Sequence, residues 1–161
     1  MDEEKRQFLE QRYAASEWRG QTTGGILENF GFSGSEIAGW TLLRAQRNPA
    51  APSFLQSLWG HGDARDEVLS VRVVECATAD AAGDQLIEEL GNCQSPAIER
   101  RTGANAVGDV AFGLGATMTL FARANMVVAI SNAGPKVVSV AAIAQEIDAL
   151  ILERLEALPV A

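Results

Sequence analysis

The chain has 161 residues, about one domain's worth, and a chain of that size can bury a real core without metals or disulfides. Thirteen basic residues against 21 acidic ones leave a formal charge of -8, which disfavours sequence-independent nucleic-acid binding. Two cysteines and one histidine are too few for a disulfide scaffold or a multi-histidine metal site.

The opening MDEEKRQFLEQRY has no apolar stretch of the secretory type. The spacing predicts a helix over Asp2 to Trp18, with Asp2, Glu3 and Glu4 in a first turn where acids complement the helix dipole. RGQTTGG breaks it, and Gly24 to Gly39 reads as a short helical turn plus an irregular connection. From Trp40 the period changes to two. Trp40 to Gln46, Ser53 to Trp59 and Glu67 to Cys76 read as strands, the last two joined as a hairpin with a long polar tip. Leu69, Val71 and Val73 point one way, Ser70, Arg72 and Val74 the other.

Thr78 or Asp80 can cap a helix from Ala79 to Leu90, with Gly91 at its stop position. Ala97 to Arg101 and Asp109 to Phe112 are short strands, and Thr117 to Arg123 with Met126 to Ser131 form a hairpin turning at Ala124-Asn125. Met118, Leu120 and Ala122 are expected to share a face with Met126, Val128 and Ile130. Val140, Ile143, Ala144, Ile147, Leu150, Ile151 and Leu155 recur at helical spacing, with Ser139 as N-cap. Gly134-Pro135 and several charges break the apolar region Met126 to Leu155, so no transmembrane helix is expected.

Two stretches, Ser53 to Leu90 and Thr117 to Leu155, run hairpin then helix in the same order. The expectation is a single α+β domain over 1–161, with an N-terminal helix over 1–20 and a main body over 40–157. Its fold is a two-layer sandwich: an antiparallel sheet of five to seven strands, helices packed mainly on one face.

Val107-Gly-Asp-Val-Ala-Phe112, then Leu120-Phe-Ala-Arg-Ala-Asn-Met-Val-Val128 and a long closing helix, resembles a pattern of uncharacterised bacterial cell-envelope domains of lipoprotein and sensor type. It spans residues 107–155. The resemblance implies a bacterial envelope location, with any signal removed ahead of Met1, over the cytoplasm. It supplies no catalytic residues.

His61, Asp63, Asp66 and Glu67 cluster in WGHGDARDE, but their spacing matches neither a zinc nor a calcium site, and they read as a solvated hairpin tip. Cys76 and Cys93 read as two separate thiols rather than a disulfide, because a helix carries the chain away between them. No phosphate loop, dinucleotide fingerprint or serine-hydrolase elbow occurs, and Glu88-Glu89 are placed on an exposed helix face. Trp18, Trp40 and Trp59, with Phe30, Phe32 and Phe54, are expected to fill the core.

The chemistry-bearing surface is expected on the sheet face away from the helices, where Ser70, Arg72, Thr117, Thr119, Phe121 and Arg123 would lie together and receive a polar or anionic ligand. Arg72, Ser70, Thr119, Phe121 and Arg123 are thus the expected ligand-binding set, with no catalytic residue, metal or cofactor. The functional expectation is a non-catalytic binding or accessory domain for a partner protein or small polar ligand, without nucleic-acid binding or membrane insertion. The alternatives are a small enzyme using a carboxylate and arginine in a sheet groove, and a homodimerisation module pairing through an edge strand or the Val140 to Leu155 helix.

Overall fold

Residues 1–20 and 25–159 are described by a computed structural model of the chain. Helix α1 (Glu3–Arg12) is followed by a 3-10 turn, Ala15–Glu17, and an irregular stretch up to Gly39. Strands β1 (Trp40–Asn48), β2 (Ala51–His61) and β3 (Ala64–Glu75) lead to α2 (Ala79–Cys93). Then come β4 (Glu99–Arg101), β5 (Val110–Leu114), β6 (Met118–Arg123), β7 (Met126–Asn132) and α3 (Ala141–Glu156). The seven strands form one antiparallel sheet in the order β1-β2-β3-β7-β6-β5-β4. The α+β class and strand number are those expected from the sequence.

The β6–β7 turn sets what faces what. Two residues, Ala124 and Asn125, lie between the paired Arg123 and Met126, with Ala124 at φ 53. Thr119, Phe121 and Arg123 therefore share a face with Met126, Val128 and Ile130, and Leu120 and Ala122 look the other way. This corrects the expected register by one residue, a slip that exchanges the two faces of a strand. The turn lies at Ala124-Asn125 as expected, and pairing across a two-residue loop joins residues 123 and 126, not 122 and 126.

Both faces of this half of the sheet are buried. Val71, Val73, Phe121, Met126, Val128 and Ile130 meet Ile143, Ala144, Ile147 and Ile151 of α3 on one side. Val74, Leu120, Ala122 and Val127 meet Leu86, Ile87 and Leu90 of α2, with Leu9, Tyr13 and Trp18 behind them. Each fully buried isoleucine of α3 contributes roughly 1.5–3 kcal/mol over an exposed one. α2 and α3 thus lie on opposite faces, not together over their own hairpins. The strand order is mirrored about the β3/β7 seam. A two-fold rotation through that seam keeps the same face upward, so the two hairpin-helix stretches are not structural repeats. α1 and α2 share one face; α3 and the 25–39 segment, through Leu27, Phe30 and Ile37, cover the other.

Local details differ for identifiable reasons. α1 stops at Arg12, where Ala14 turns left-handed (φ 51). Asp2 caps its first turn by accepting from Lys5 N at 2.7 Å. Thr78 caps α2 by accepting from Ala81 N, but the helix runs past Gly91 to a left-handed Gln94. Ser139 does not cap α3: the N-cap is Val140, and no side chain bonds the first turn. The β2–β3 tip is tight, since His61 already pairs with Ala64. Of the expected break RGQTTGG, residues 21–24 lie outside the described residues, and no helical turn occurs over 25–39. The three tryptophans are buried, as expected.

Asn125 ties three separate segments together. Its Oδ1 accepts from Leu27 N at 3.0 Å, and its Nδ2 donates to Leu27 O at 2.9 Å and to Cys76 O at 2.8 Å. Its own carbonyl accepts from Cys76 N at 2.9 Å. Asn125→Ala leaves the buried N–H and C=O groups of Leu27 without partners, and the expected loss is about 2–4 kcal/mol. Urea unfolding checks this as a lowered midpoint at unchanged slope.

Candidate functional site

The expected ligand-binding residues do not come together. Ser70 and Arg72 lie on the α2 side of the sheet, in register with Leu120 through Ala129; Thr119, Phe121 and Arg123 lie on the α3 side. Phe121 is fully buried in the core beneath α3. Thr117 turns inward, its Oγ1 donating to Leu114 O at 2.9 Å.

Arg123 is part of the scaffold. Its Nε and Nη2 donate to the two oxygens of Asp148 on α3, both at 2.9 Å, in the fork geometry that makes arginine–carboxylate pairs strong. Its Nη1 reaches Asp109 at 3.3 Å, while Asp109 Oδ2 accepts from Ala124 N at 2.7 Å and Asp148 Oδ2 accepts from Gly108 N at 2.9 Å. The bond to Asp148 is the first cause of a pKa raised above the usual arginine value. Gly108 is needed here, at φ +67, because a Cβ would stand 2.5 Å from Ala122 O. The Gly-Asp…Arg-Ala-Asn pattern of residues 108–125 is accounted for by this turn and its ties to α3.

Arg72 faces a different environment. Across β3 and β2 it stands opposite Gln56, and α2 brings Glu89 to it: Arg72 Nη2 donates to Glu89 Oε2. Glu89, expected on a solvated helix face, is 3% exposed, and Gln85 Nε2 holds its other oxygen at 3.1 Å. The one sign of this in the sequence is the α2 spacing, since residue 89 lies three positions from the buried Leu86. Burial lowers the pKa of Arg72 from its ordinary value. Its remaining N–H groups have no partner among the described residues.

Beyond Arg72 the α2-side face is open. Among the described residues, the core on the α2 side contains no β1 residue, and Phe54 is its one β2 neighbour. Register places Arg44, Gln46, Gln56, Leu58, Ser70 and Arg72 on this uncovered surface. Gln56 Nε2 donates to Ser70 Oγ at 2.5 Å. Two hollows mark the surface: one of about 380 Å³ includes Gln46, Phe54, Gln56 and Arg72, and one of about 440 Å³ includes Leu43, Gly60, Asp63, Arg65 and Val68. Leu43, the extra residue of a bulge between Leu42 and Arg44, is 59% exposed and lies over Gly60. Arg44 and Arg65 form no ion pair among the described residues.

Both cysteines are free, as expected. Burial first, then the charges of Asp84 and Glu75, push the Cys76 thiol up to about 11; burial also raises Cys93, against the lowering influence of Arg72. Neutral thiols are poor nucleophiles near pH 7. At the hairpin tip, His61 stacks on Trp40 with centroids 4.6 Å apart and sits 3.3 Å from Glu67.

Arg72→Ala strands the buried Glu89 carboxylate and is expected to cost about 2–3 kcal/mol, below the full value for a buried pair because Arg72 is partly solvated. The double change Arg72→Met with Glu89→Leu is expected to recover most of that loss, and denaturant unfolding of the three proteins measures it. No family model, curated protein or solved structure matches the chain, so what these residues do is argued from their geometry.

Proposed function

We propose that the chain is a non-catalytic binding domain whose open half-sheet, β1 to β3 on the α2 side, docks an acidic segment of a partner protein. One observation carries the reading: a cationic, partly apolar sheet surface left without a helix on a protein of net charge -8. Arg44, Arg65 and Arg72 supply donors for carboxylates. Leu43, Leu58 and Val68 between them supply apolar surface, the mixture that protein-binding patches favour. The partner lies on the face and not along the β1 edge, since that edge is bulged at Leu43 and carries Arg44 and Arg47, devices that oppose strand pairing. The same devices speak against a dimer formed through β1. Catalysis by the Arg72–Glu89 pair is disfavoured, because each Glu89 oxygen already accepts a hydrogen bond.

Random peptides displayed and selected on the folded protein should be enriched in Asp and Glu beside large apolar residues. The paired change Leu43→Asp with Arg44→Glu should weaken the selected peptides by about tenfold or more, about 1.4 kcal/mol. Selected peptides without acidic bias, or peptides indifferent to the paired change, would overturn the proposal.

A further inference from the structure

On the opposite face of the sheet, where α3 begins, a hollow of about 260 Å³ is walled by Arg101, Asn105, Thr119, Ser139, Ala141 and Gln145, among others. We infer that this hollow binds the phosphate group of a small phosphorylated molecule. The inference is independent of the docking face, which lies on the other side of the sheet.

Four features converge there. The first is α3 itself, 16 residues long, whose first turn has no side-chain cap. Its earliest closing bond runs from Ala144 N to Val140 O, which leaves the N–H groups of Ala141, Ala142 and Ile143 unpaired among the described residues. Donors at the positive end of a helix dipole suit an oxyanion.

The second is Thr119. It is 7% exposed and lines the hollow, yet its hydroxyl has no partner among the described residues. Its oxygen is not sealed from the hollow, so the hydroxyl is free to bond a group that enters there.

The third is Arg101. It forms no ion pair among the described residues; its Nη2 donates to Gly115 O, which holds the guanidinium across the end of β5. Gly113, in register with Thr119, makes that placement possible. A Cβ at Gly113 would stand 2.9 Å from Arg101 Cζ and displace the guanidinium. A glycine inside a strand weakens it, and here the missing side chain leaves the space that the arginine occupies.

The fourth is composition. Among the described residues no Asp or Glu lines the hollow, although acids outnumber basic residues in the chain by 21 to 13. Ser139, released from the capping role, adds another hydroxyl at the mouth. One guanidinium, two hydroxyls and Ala141 line the hollow, with the N–H groups of Ala142 and Ile143 in the same open first turn, and a tetrahedral phosphate can accept from several directions.

The test uses the full chain, labelled with nitrogen-15 and titrated at fixed pH and ionic strength with inorganic phosphate, glycerol 3-phosphate and acetate. Saturable shifts are expected at the Ala141, Ala142 and Ile143 amides, with glycerol 3-phosphate at least as tight as phosphate and acetate at least about tenfold weaker. Arg101→Gln and, on a separate strand, the near-isosteric Thr119→Val should each weaken phosphate about tenfold, with the remaining amide spectrum unchanged. Three results would overturn the inference: no saturation at those amides, acetate binding as well as phosphate, or phosphate binding that neither substitution affects. Glycerol 3-phosphate binding more weakly than inorganic phosphate would overturn it too.

Discussion

The turn at Ala124-Asn125 is the constraint on which the rest depends. It is a two-residue connection, so it fixes that Arg123 pairs with Met126, and that parity decides which side chains of β6 and β7 meet α2 and which meet α3. The same three residues then tie the turn to its surroundings. Asn125 holds the incoming segment at Leu27 and the exit of β3 at Cys76. Arg123 reaches α3 through Asp148, and the Ala124 N–H binds Asp109. A left-handed alanine costs energy in isolation, and the bonds on either side of Ala124 offset it. Main-chain partners for a buried asparagine are worth more than solvent-exposed ones, because each removed bond leaves a desolvated group behind.

The division of the sheet into a covered and an open half is written in its strands. Met126 to Ile130 is an unbroken apolar run, the pattern of a strand with both faces buried, and α2 and α3 bury it from either side. In β2 and β3 the apolar residues alternate with Gln56, Ser70 and Arg72, the pattern of a strand with one face open. Helix existence, the seven strands and the antiparallel sheet were legible in spacing and turn residues alone. The face assignment was not: alternation places Met126, Val128 and Ile130 on one face of β7, and tertiary packing alone puts Val127 under a second helix layer on the other. Once β7 is two-sided, a second helix layer is required, and α3 is the element left to form it.

The candidate residues were separable in sequence only in part. Arg72 and Ser70 remain in a surface with ligand-binding chemistry, but Arg123 is consumed by Asp148, and nothing in local spacing pairs residues 25 positions apart. Glu89 illustrates the reverse. A second glutamate beside Glu88 reads as a solvated charge, and burial comes from tertiary packing: α2 turns that position over β3, where Arg72 waits. Buried carboxylates need a cation and further donors, so Arg72 and Arg123 play the same structural part on opposite faces, each neutralising one buried acid. They differ in what is left over. Arg123 is bonded through all three nitrogens, whereas Arg72 spends one on Glu89 and keeps donors toward the open sheet.

Net charge and local charge therefore say different things about this molecule. The acids that produce the -8 lie largely on α1, α2, the outer side of α3 and the turns, and at physiological salt their field decays over about 8 Å. On the open half-sheet, by contrast, Arg44 and Arg65 stand without an ion-pair partner among the described residues. Around the start of α3 the wall contains no acid among the described residues. Long-range repulsion slows the arrival of an anion at such a protein, but it acts on encounter more than on the bound state, where hydrogen-bond donors a few ångströms away dominate. An acidic coat around cationic patches is thus no contradiction: the coat opposes non-specific association with polyanions, and any specific anion contact falls to the places where cations and free donors are left unpaired.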